Sequence, residues 1–377
     1  MSETRKINLF VDAHCFDKEH QGTRAFIKRL YVEFSKLAPH YLIFFAAKDI
    51  NNLKKELKDV AGSRFIAYKY GDTLSRLSFE IPMLIRQYKI DIAHFQYISP
   101  FIKNCRQIVT THDVLFKEFS SNFSFFYRFS RSILFKRSLE QADLITTVSK
   151  HSKESIHRFF NIKPDEIFVV PNSVVKEPEH LHNKALSGEY IKSKFGTGPY
   201  ILYVSRFEPR KNHIFLIRAF LELKLHTKGY HLVLLGHVSI KVKEVDALLD
   251  GLPADVRSCI YIHHHIPNED LIHFYTGAEL FVFPSKAEGF GLPPIEAAAL
   301  GTPVICSNTT AMSDFSFFGD YHLNPDNYDV LCEKISDAIS KPATPAGLQA
   351  ISEEVFRRYS SKAMAQSFLE GIRQRLT

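Results

Sequence analysis

The stretch 288–303, EGFGLPPIEAAALGTP, concentrates residue types that bind anions and polyols. Gly289 and Gly291 flank Phe290, so backbone N–H groups there can approach a ligand with no Cβ in the way. Pro293 and Pro294 pre-set a helix start, and such a terminus presents the positive end of its dipole, a natural seat for a phosphate or diphosphate. Glu288 stands before this loop and Glu296 lies in the first helical turn. Acids beside an anion seat suit hydroxyl groups on either side of it better than the phosphates themselves. Taken alone, the segment also fits turn glycines and a glutamate that merely complements the dipole. A second cluster, Arg206-Phe-Glu-Pro-Arg-Lys211, follows a short apolar run. Arg206 and Lys211 could neutralise a leaving diphosphate without a metal. The plainer alternative is a solvated loop of mixed charge, since Glu208 and Arg210 are neighbours.

These loops need strands and helices to aim them. Short apolar, β-branched or aromatic runs predict strands at 7–11, 41–46, 64–68, 91–94, 107–111, 144–148 and 167–170. Helical patterns fall between them at 23–37, 51–60, 74–88 and 150–160. Pro171-Asn172, Pro178 and the polar run EPEHLHNKALSGE read as a linker. A second series follows, with strands at 200–205, 231–235, 260–262, 280–283 and 303–306 and helices from Asn212, Ile240, Glu269 and Pro293. After Asp326 the pattern is helical, broken near Pro342 and Pro345. Alternating strands and helices imply mostly parallel sheets covered on both faces, with ligands at the carboxyl ends of the strands. The expected architecture is α/β: two doubly wound domains with a cleft between them.

The second half, with looser support from the first, resembles the retaining, nucleotide-sugar-dependent glycosyltransferases built from two facing Rossmann-like domains (the GT-B architecture, group 1, family four). The resemblance rests on YVSRFEPRKNHIFLIRAF, LVLLGH, the run IPNEDLIHFYTGAELFVFPS, and EGFGLPPIEAAALGTPVICS with its glutamates eight positions apart. Looser matches are Gly22-Thr-Arg24, Thr110-Thr-His112-Asp113, Ala142-Asp143 followed by TVSKHS, and VVPNSV around Asn172. It implies an acceptor-side domain at 1–175, a donor domain at 184–358, and a final segment at 359–377 that crosses back onto the first domain. Arg206 and Lys211 would bind and stabilise the leaving diphosphate. Glu288 would touch the hydroxyls of the transferred sugar, with the backbone of Gly289, Phe290, Gly291 and Leu292 beside sugar and phosphates. Glu296 would bond the ribose, and residues near 262–266, Ile262 among them, would line the base pocket. His112 would face the reacting centre, and Gly22 would let the first loop approach the donor phosphate. Family members often carry a paired glycine in that loop, where this chain has His20-Gln21-Gly22, and a glycine where this chain has Ser173.

The resemblance further implies retention of anomeric configuration, the acceptor hydroxyl attacking from the face the diphosphate leaves. That fits a sequence with no evident nucleophile–base pair and no D-x-D triplet, and it leads us to expect no cofactor and no metal. The donor expected first is GDP-mannose, and the acceptor a lipid-linked or surface-polysaccharide glycan. A glycan- or membrane-binding protein on an inactive transferase scaffold is the alternative, which the intact Arg206, Lys211, Glu288 and Glu296 disfavour. A nicotinamide oxidoreductase would need G-x-G-x-x-G after the first strand, where DAHCFDKEHQG stands.

Composition sets the outer limits. With 377 residues, 45% hydrophobic and 24% charged, the chain is globular and long enough for two cores. The five cysteines are scattered, which fits a reduced cytoplasmic protein, and the longest apolar run, 41–47, is too short to span a bilayer. Residues 1–183 hold 28 Lys and Arg against 20 Asp and Glu, whereas the remainder holds 20 against 21. The segment 116–137 carries seven phenylalanines and five cations, with Phe125, Phe126, Phe129, Ile133 and Leu134 on one side and Arg128, Arg131, Lys136 and Arg137 available to lipid headgroups. It reads either as a helix lying on the inner, anionic face of a membrane or as an ordinary core helix. No nucleic-acid motif accompanies the charge. The run His263-His264-His265 is expected to be a strand-end turn rather than a metal site. His14 is left open between a donor contact and turn chemistry.

Overall fold

The computed structural model describes residues 6–17, 22–119 and 124–376. The chain divides into two compact units, Met1–Ser173 with Tyr359–Thr377, and Val174–Arg358. Each is built on one sheet, and every strand pairing is parallel.

The first unit runs β1 (Ile7–Asp12), α1 (Gly22–Leu37), β2 (Tyr41–Ala47), α2 (Ile50–Glu56), β3 (Ser63–Ala67), a π-turn (Arg76–Glu80) leading into α3 (Ile81–Gln87), β4 (Ile92–Gln96), β5 (Arg106–Thr110), α4 (Phe125–Gln141), β6 (Leu144–Thr147), α5 (Lys150–Phe160) and β7 (Ile167–Val169). Its seven strands lie in the order β3-β2-β1-β4-β5-β6-β7. Leu9, Phe10 and Val11 are buried in succession, because a parallel strand covered on both faces has no solvent side to leave polar. Phe10, Ala93 and Phe95 pack against Leu77, Ile81, Leu84 and Ile85 on one face.

The second unit follows with α6 (Lys184–Phe195), β8 (Tyr200–Val204), α7 (His213–Glu222), β9 (His231–Leu235), α8 (Lys243–Asp250), β10 (Ile260–His263), α9 (Asn268–Gly277), β11 (Leu280–Phe283), α10 (Leu292–Ala299), β12 (Val304–Ser307), β13 (His322–Leu323), α11 (Tyr328–Ser340) and α12 (Pro345–Tyr359). Its order is β10-β9-β8-β11-β12-β13. The last helix, α13 (Ser361–Leu376), belongs to the first unit, where Phe368 packs on the rings of Phe34 and His94.

Both sheets therefore reverse their strand order beside the first strand, between β1 and β4 and again between β8 and β11. Crevices open at such reversals, outside the carboxyl ends of the strands.

Three local expectations need correction. The run read as linker contains α6, which starts where the Asn183 side chain accepts from the Leu186 N–H. Only Ser187 and Ile191 of α6 are buried, so its apolar signal is faint. The helix expected from Ile240 begins at Lys243. The helix expected over 51–60 ends at Glu56, its N-terminus fixed by Asp49 accepting from the N–H groups of Asn51 and Asn52.

Candidate active site

In the second unit, β8 ends at Val204 and its loop turns through Arg206 to a short 3-10 turn, Pro209–Lys211. That turn aims Lys211 inward, where its backbone carbonyl accepts from the buried Tyr203 hydroxyl at 2.6 Å. Next to β8 in the sheet, β11 ends at Phe283 and delivers Ser285 and Glu288. The Lys211 ammonium donates to one Glu288 carboxylate oxygen, and Ser285 Oγ donates to the same oxygen at 2.7 Å. The Glu288 N–H donates to Thr310 Oγ1 at 2.9 Å, which fixes the loop from below.

Arg210 completes the cluster. Its guanidinium donates to Glu208 Oε1 at 2.7 Å, to Glu288 Oε2 at 3.4 Å, and to the Ala287 carbonyl. Glu208, Lys211 and Glu288 are all buried. Burial by itself would raise the Glu288 carboxyl, but the charges of Lys211 and Arg210 with the bonds from Lys211 and Ser285 hold it below its ordinary range. Burial lowers the Lys211 ammonium, with Glu288 opposing. Arg206, expected to share the diphosphate with Lys211, has its side chain 52% exposed, 3.8 Å from Glu208. Arg210 is the second inward cation beside Lys211, where its place in the sequence suggested only a neighbouring charge of a solvated loop.

The glycine loop is built tightly. Gly291 has φ +94, and a Cβ there would lie 2.9 Å from Met312 Cγ, so the position is closed to other residues. Phe290 is buried edge-on against Phe315, which leaves only its backbone for a ligand. Pro293 and Pro294 carry no N–H, so the donors at this end of α10 come from the loop and Leu292 rather than from a full helical turn. Glu296 is half-buried and accepts from the Tyr275 hydroxyl at 3.3 Å. Ile262 lies on β10, the edge strand. Beyond it, His263 packs on Phe195 and Phe274, while the His264 ring meets the Gly236 carbonyl at 3.0 Å.

In the first unit, His112 follows β5 and is buried between Phe26 and Tyr97. Its Nε2 lies 2.7 Å from Gln96 Oε1, and the Gln96 amide nitrogen lies 3.1 Å from His94 Nε2. His94 in turn meets Tyr31 at 2.7 Å and Thr110 at 2.6 Å. With the Gln96 amide in this orientation, its oxygen can only accept, so His112 Nε2 carries the proton and Nδ1 keeps a lone pair. Burial pushes the His112 imidazolium down to about 3, so the ring is neutral near pH 7. His94 and Gln96 carry no signal in a single sequence, because their role depends on strand order.

Gly22 opens α1, and a Cβ built on it meets nothing within 4 Å, so no contact inside the chain demands glycine there. The neighbouring His20 and Gln21 lie outside the described residues. His14 turns back on its own strand, with Nδ1 3.0 Å from Asp12. Of the segment 116–137, residues 120–123 lie outside the described residues. On α4 only Phe135, Ser138 and Leu139 are buried, while Phe126 is 82% exposed. The core-helix reading therefore fails for its first two turns. Among the described residues, no helix is long and apolar enough to cross a membrane.

Known proteins share this chain's sequence pattern and fold. The family model for glycosyl transferases group 1 matches residues 190–355, and that for glycosyltransferase family 4 matches 21–177. The O-antigen chain mannosyltransferase B of Escherichia coli is 33% identical over 61% of this chain and 57% of its own length. The O-antigen chain mannosyltransferase RfbU of Salmonella typhimurium is 28% identical over 64% of each. The chain thus spans less than two thirds of these curated relatives. The structure of Anabaena HepE in complex with UDP-glucose superposes with a TM-score of 0.72 at 16% identity, covering 97% of this chain and 99% of that one. Two parallel Rossmann-like sheets, the clustered cations and carboxylates, and two glycosyltransferase family models spread over most of the sequence lead to one assignment: the chain belongs to the group 1 glycosyltransferases and has the GT-B fold.

Proposed function

We propose that this chain is a retaining mannosyltransferase that uses a nucleoside diphosphate sugar, GDP-mannose first, and extends a lipid-linked or surface-polysaccharide glycan. The observation that carries this reading is the buried cluster of Arg210, Lys211 and Glu288 at the carboxyl ends of β8 and β11. The names of the O-antigen mannosyltransferases support mannose and a surface glycan.

In this reading Lys211 and the exposed Arg206 take the diphosphate, joined by loop N–H groups of Gly289, Phe290, Gly291 and Leu292. Glu288, kept ionised, accepts from sugar hydroxyls, and Glu296 from the ribose. Ile262 borders the base, and Gly22 leaves room for the donor phosphate. Neutral His112 accepts a sugar hydroxyl at Nδ1. The bond between the anomeric carbon and the phosphate oxygen breaks, and the acceptor oxygen bonds to that carbon from the same face. The acceptor's proton passes to the leaving phosphate. The fixed cations stabilise the charge that develops on it, so no metal or other cofactor is assigned a role. The enzyme works at the inner face of a membrane, with α4 against the lipid.

The test is transfer itself. Labelled GDP-mannose and isolated lipid-linked glycan, with EDTA present, should give an α-linked product by proton NMR, and Glu288→Ala should abolish it. No transfer from GDP-, UDP-, ADP- or dTDP-sugars would overturn the reading.

A further inference from the structure

The exposed residues of α4 form a line. Phe125, Phe129 and Ile133 recur every four positions, so they share one face, and they are 65%, 58% and 54% exposed. The next residue in that line is Arg137. Its guanidinium lies 4.9 Å from the centroid of Phe101 and donates to the carbonyls of Ser99 and Pro100. The line therefore runs directly into the loop after β4, where Phe101 and Ile102 are themselves exposed.

The same loop is joined on its other side to α3. Asn104 donates to the Pro82 carbonyl at 3.4 Å, and Cys105 packs against the core under α3. Ile98 touches both that core and the one under α4, so the loop is seated between the two helices. On the π-turn and α3, Phe79 and Met83 stand four positions apart and exposed. The loop and the two helices on either side of it thus all present exposed apolar side chains.

We propose that these elements form one continuous surface that seats the first unit on an anionic lipid bilayer, α4 supplying one edge and Phe79, Met83, Phe101 and Ile102 the rest. The proposal rests on the membrane reading of α4 and adds two elements to it. Charge selects the occupant. Residues 70–141, through the end of α4, hold ten Lys and Arg against six Asp and Glu. Four of the acids are turned to the fold: Glu80 takes the N–H groups of Lys69 and Tyr70, Asp91 that of Asn8, and Asp113 that of Leu115, while Glu118 pairs with Arg158. Asp72, which caps the Ser75 N–H, and Glu140, 3.7 Å from Lys136, are exposed. Arg86 on α3 and Arg106 at the end of the loop are exposed, as is Lys136 itself. A second copy docked on this face would bring like charges together, whereas anionic headgroups complement them. Aromatic side chains this prominent suit the interfacial layer of a bilayer, which yields to them.

Co-sedimentation of the full chain with vesicles tests this, using phosphatidylcholine with and without phosphatidylglycerol. Phe101→Ser/Ile102→Ser and Phe79→Ser/Met83→Ser should each lower partition onto the anionic vesicles at least tenfold, as should Phe125→Ser/Phe129→Ser. All six residues are exposed, so an unchanged thermal midpoint is expected and shows that the loss is not misfolding. Loss in the α4 variant alone, with both others binding like the parent, would overturn the continuous face and leave the α4 reading standing. A parent chain that binds neither vesicle would overturn both. Self-association removed by the Phe101 and Phe79 variants, without vesicle binding, would assign the face to a second copy and refute the bilayer.

Discussion

Arg210→Met removes the one guanidinium shared by two buried carboxylates. Glu208 and Glu288 are each 9% exposed, and Arg210 reaches both, at 2.7 and 3.4 Å. Glu288 keeps Lys211 and Ser285, so the loss falls on Glu208, and removing one partner of a buried ion pair costs about 3–5 kcal/mol. A unit of this size loses roughly 2–4 °C in midpoint per kcal/mol, so the variant should melt roughly 6–20 °C below the parent. The same loss takes away one of the two charges that hold Glu288 below its ordinary range, so its proton affinity must rise. The acid limb of kcat/KM for sugar transfer should then move to higher pH. Glu208→Gln in the same chain removes the stranded carboxylate, and the double variant should recover part of the midpoint. Differential scanning calorimetry across this mutant cycle, with pH–rate profiles, makes the measurement. A variant with the parent's midpoint and acid limb, or a double variant no more stable than Arg210→Met, would refute the reasoning.

Two further outcomes follow from packing and titration. Gly236 has φ +147, and a Cβ there would stand 2.0 Å from the Ser205 carbonyl oxygen, so Gly236→Ala must force β8 and β9 apart at the site's edge. A loss of about 3 kcal/mol or more is expected in urea unfolding, and a loss under 0.5 kcal/mol would contradict the packing. His94 and His112 are both pushed down to about 3 by burial. Their folded values lie below the unfolded value near 6.5, so they favour folding fully above about pH 6.5 and progressively less as pH falls toward 3. At pH 5 each should have cost about 2 kcal/mol relative to pH 7.5, and His112→Asn should flatten that dependence by the same amount. Equal stability of the parent at the two pH values would show that these rings are not buried as described.

The strand–loop–helix pattern made much of the second unit legible, because β8 and β11 are short apolar runs ending in charged or glycine-rich loops. What it could not rank was three cations within six residues. Only the 3-10 turn Pro209–Lys211 decides that Lys211 and Arg210 point inward and Arg206 outward. The partners of His112 were invisible for a different reason. Gln96 meets it only because β4 lies beside β5, a pairing that no local pattern encodes. Helix α4 was ambiguous because it is apolar around much of its circumference, so periodicity alone could not say which side the core would take. The structure buries Phe135, Ser138 and Leu139 and leaves Phe125, Phe126 and Phe129 outside. Helix α6 was missed because it buries almost nothing and begins on a single capping asparagine.

The measurement that bears most directly on the donor site is calorimetric titration of GDP-mannose into the parent and Lys211→Ala, both in EDTA. A charge-assisted bond to the diphosphate is worth about 1.5–3 kcal/mol, so the variant should bind roughly 10- to 150-fold more weakly while its fold persists. Binding by Lys211→Ala as tight as by the parent would contradict the assignment of this cluster to the donor diphosphate.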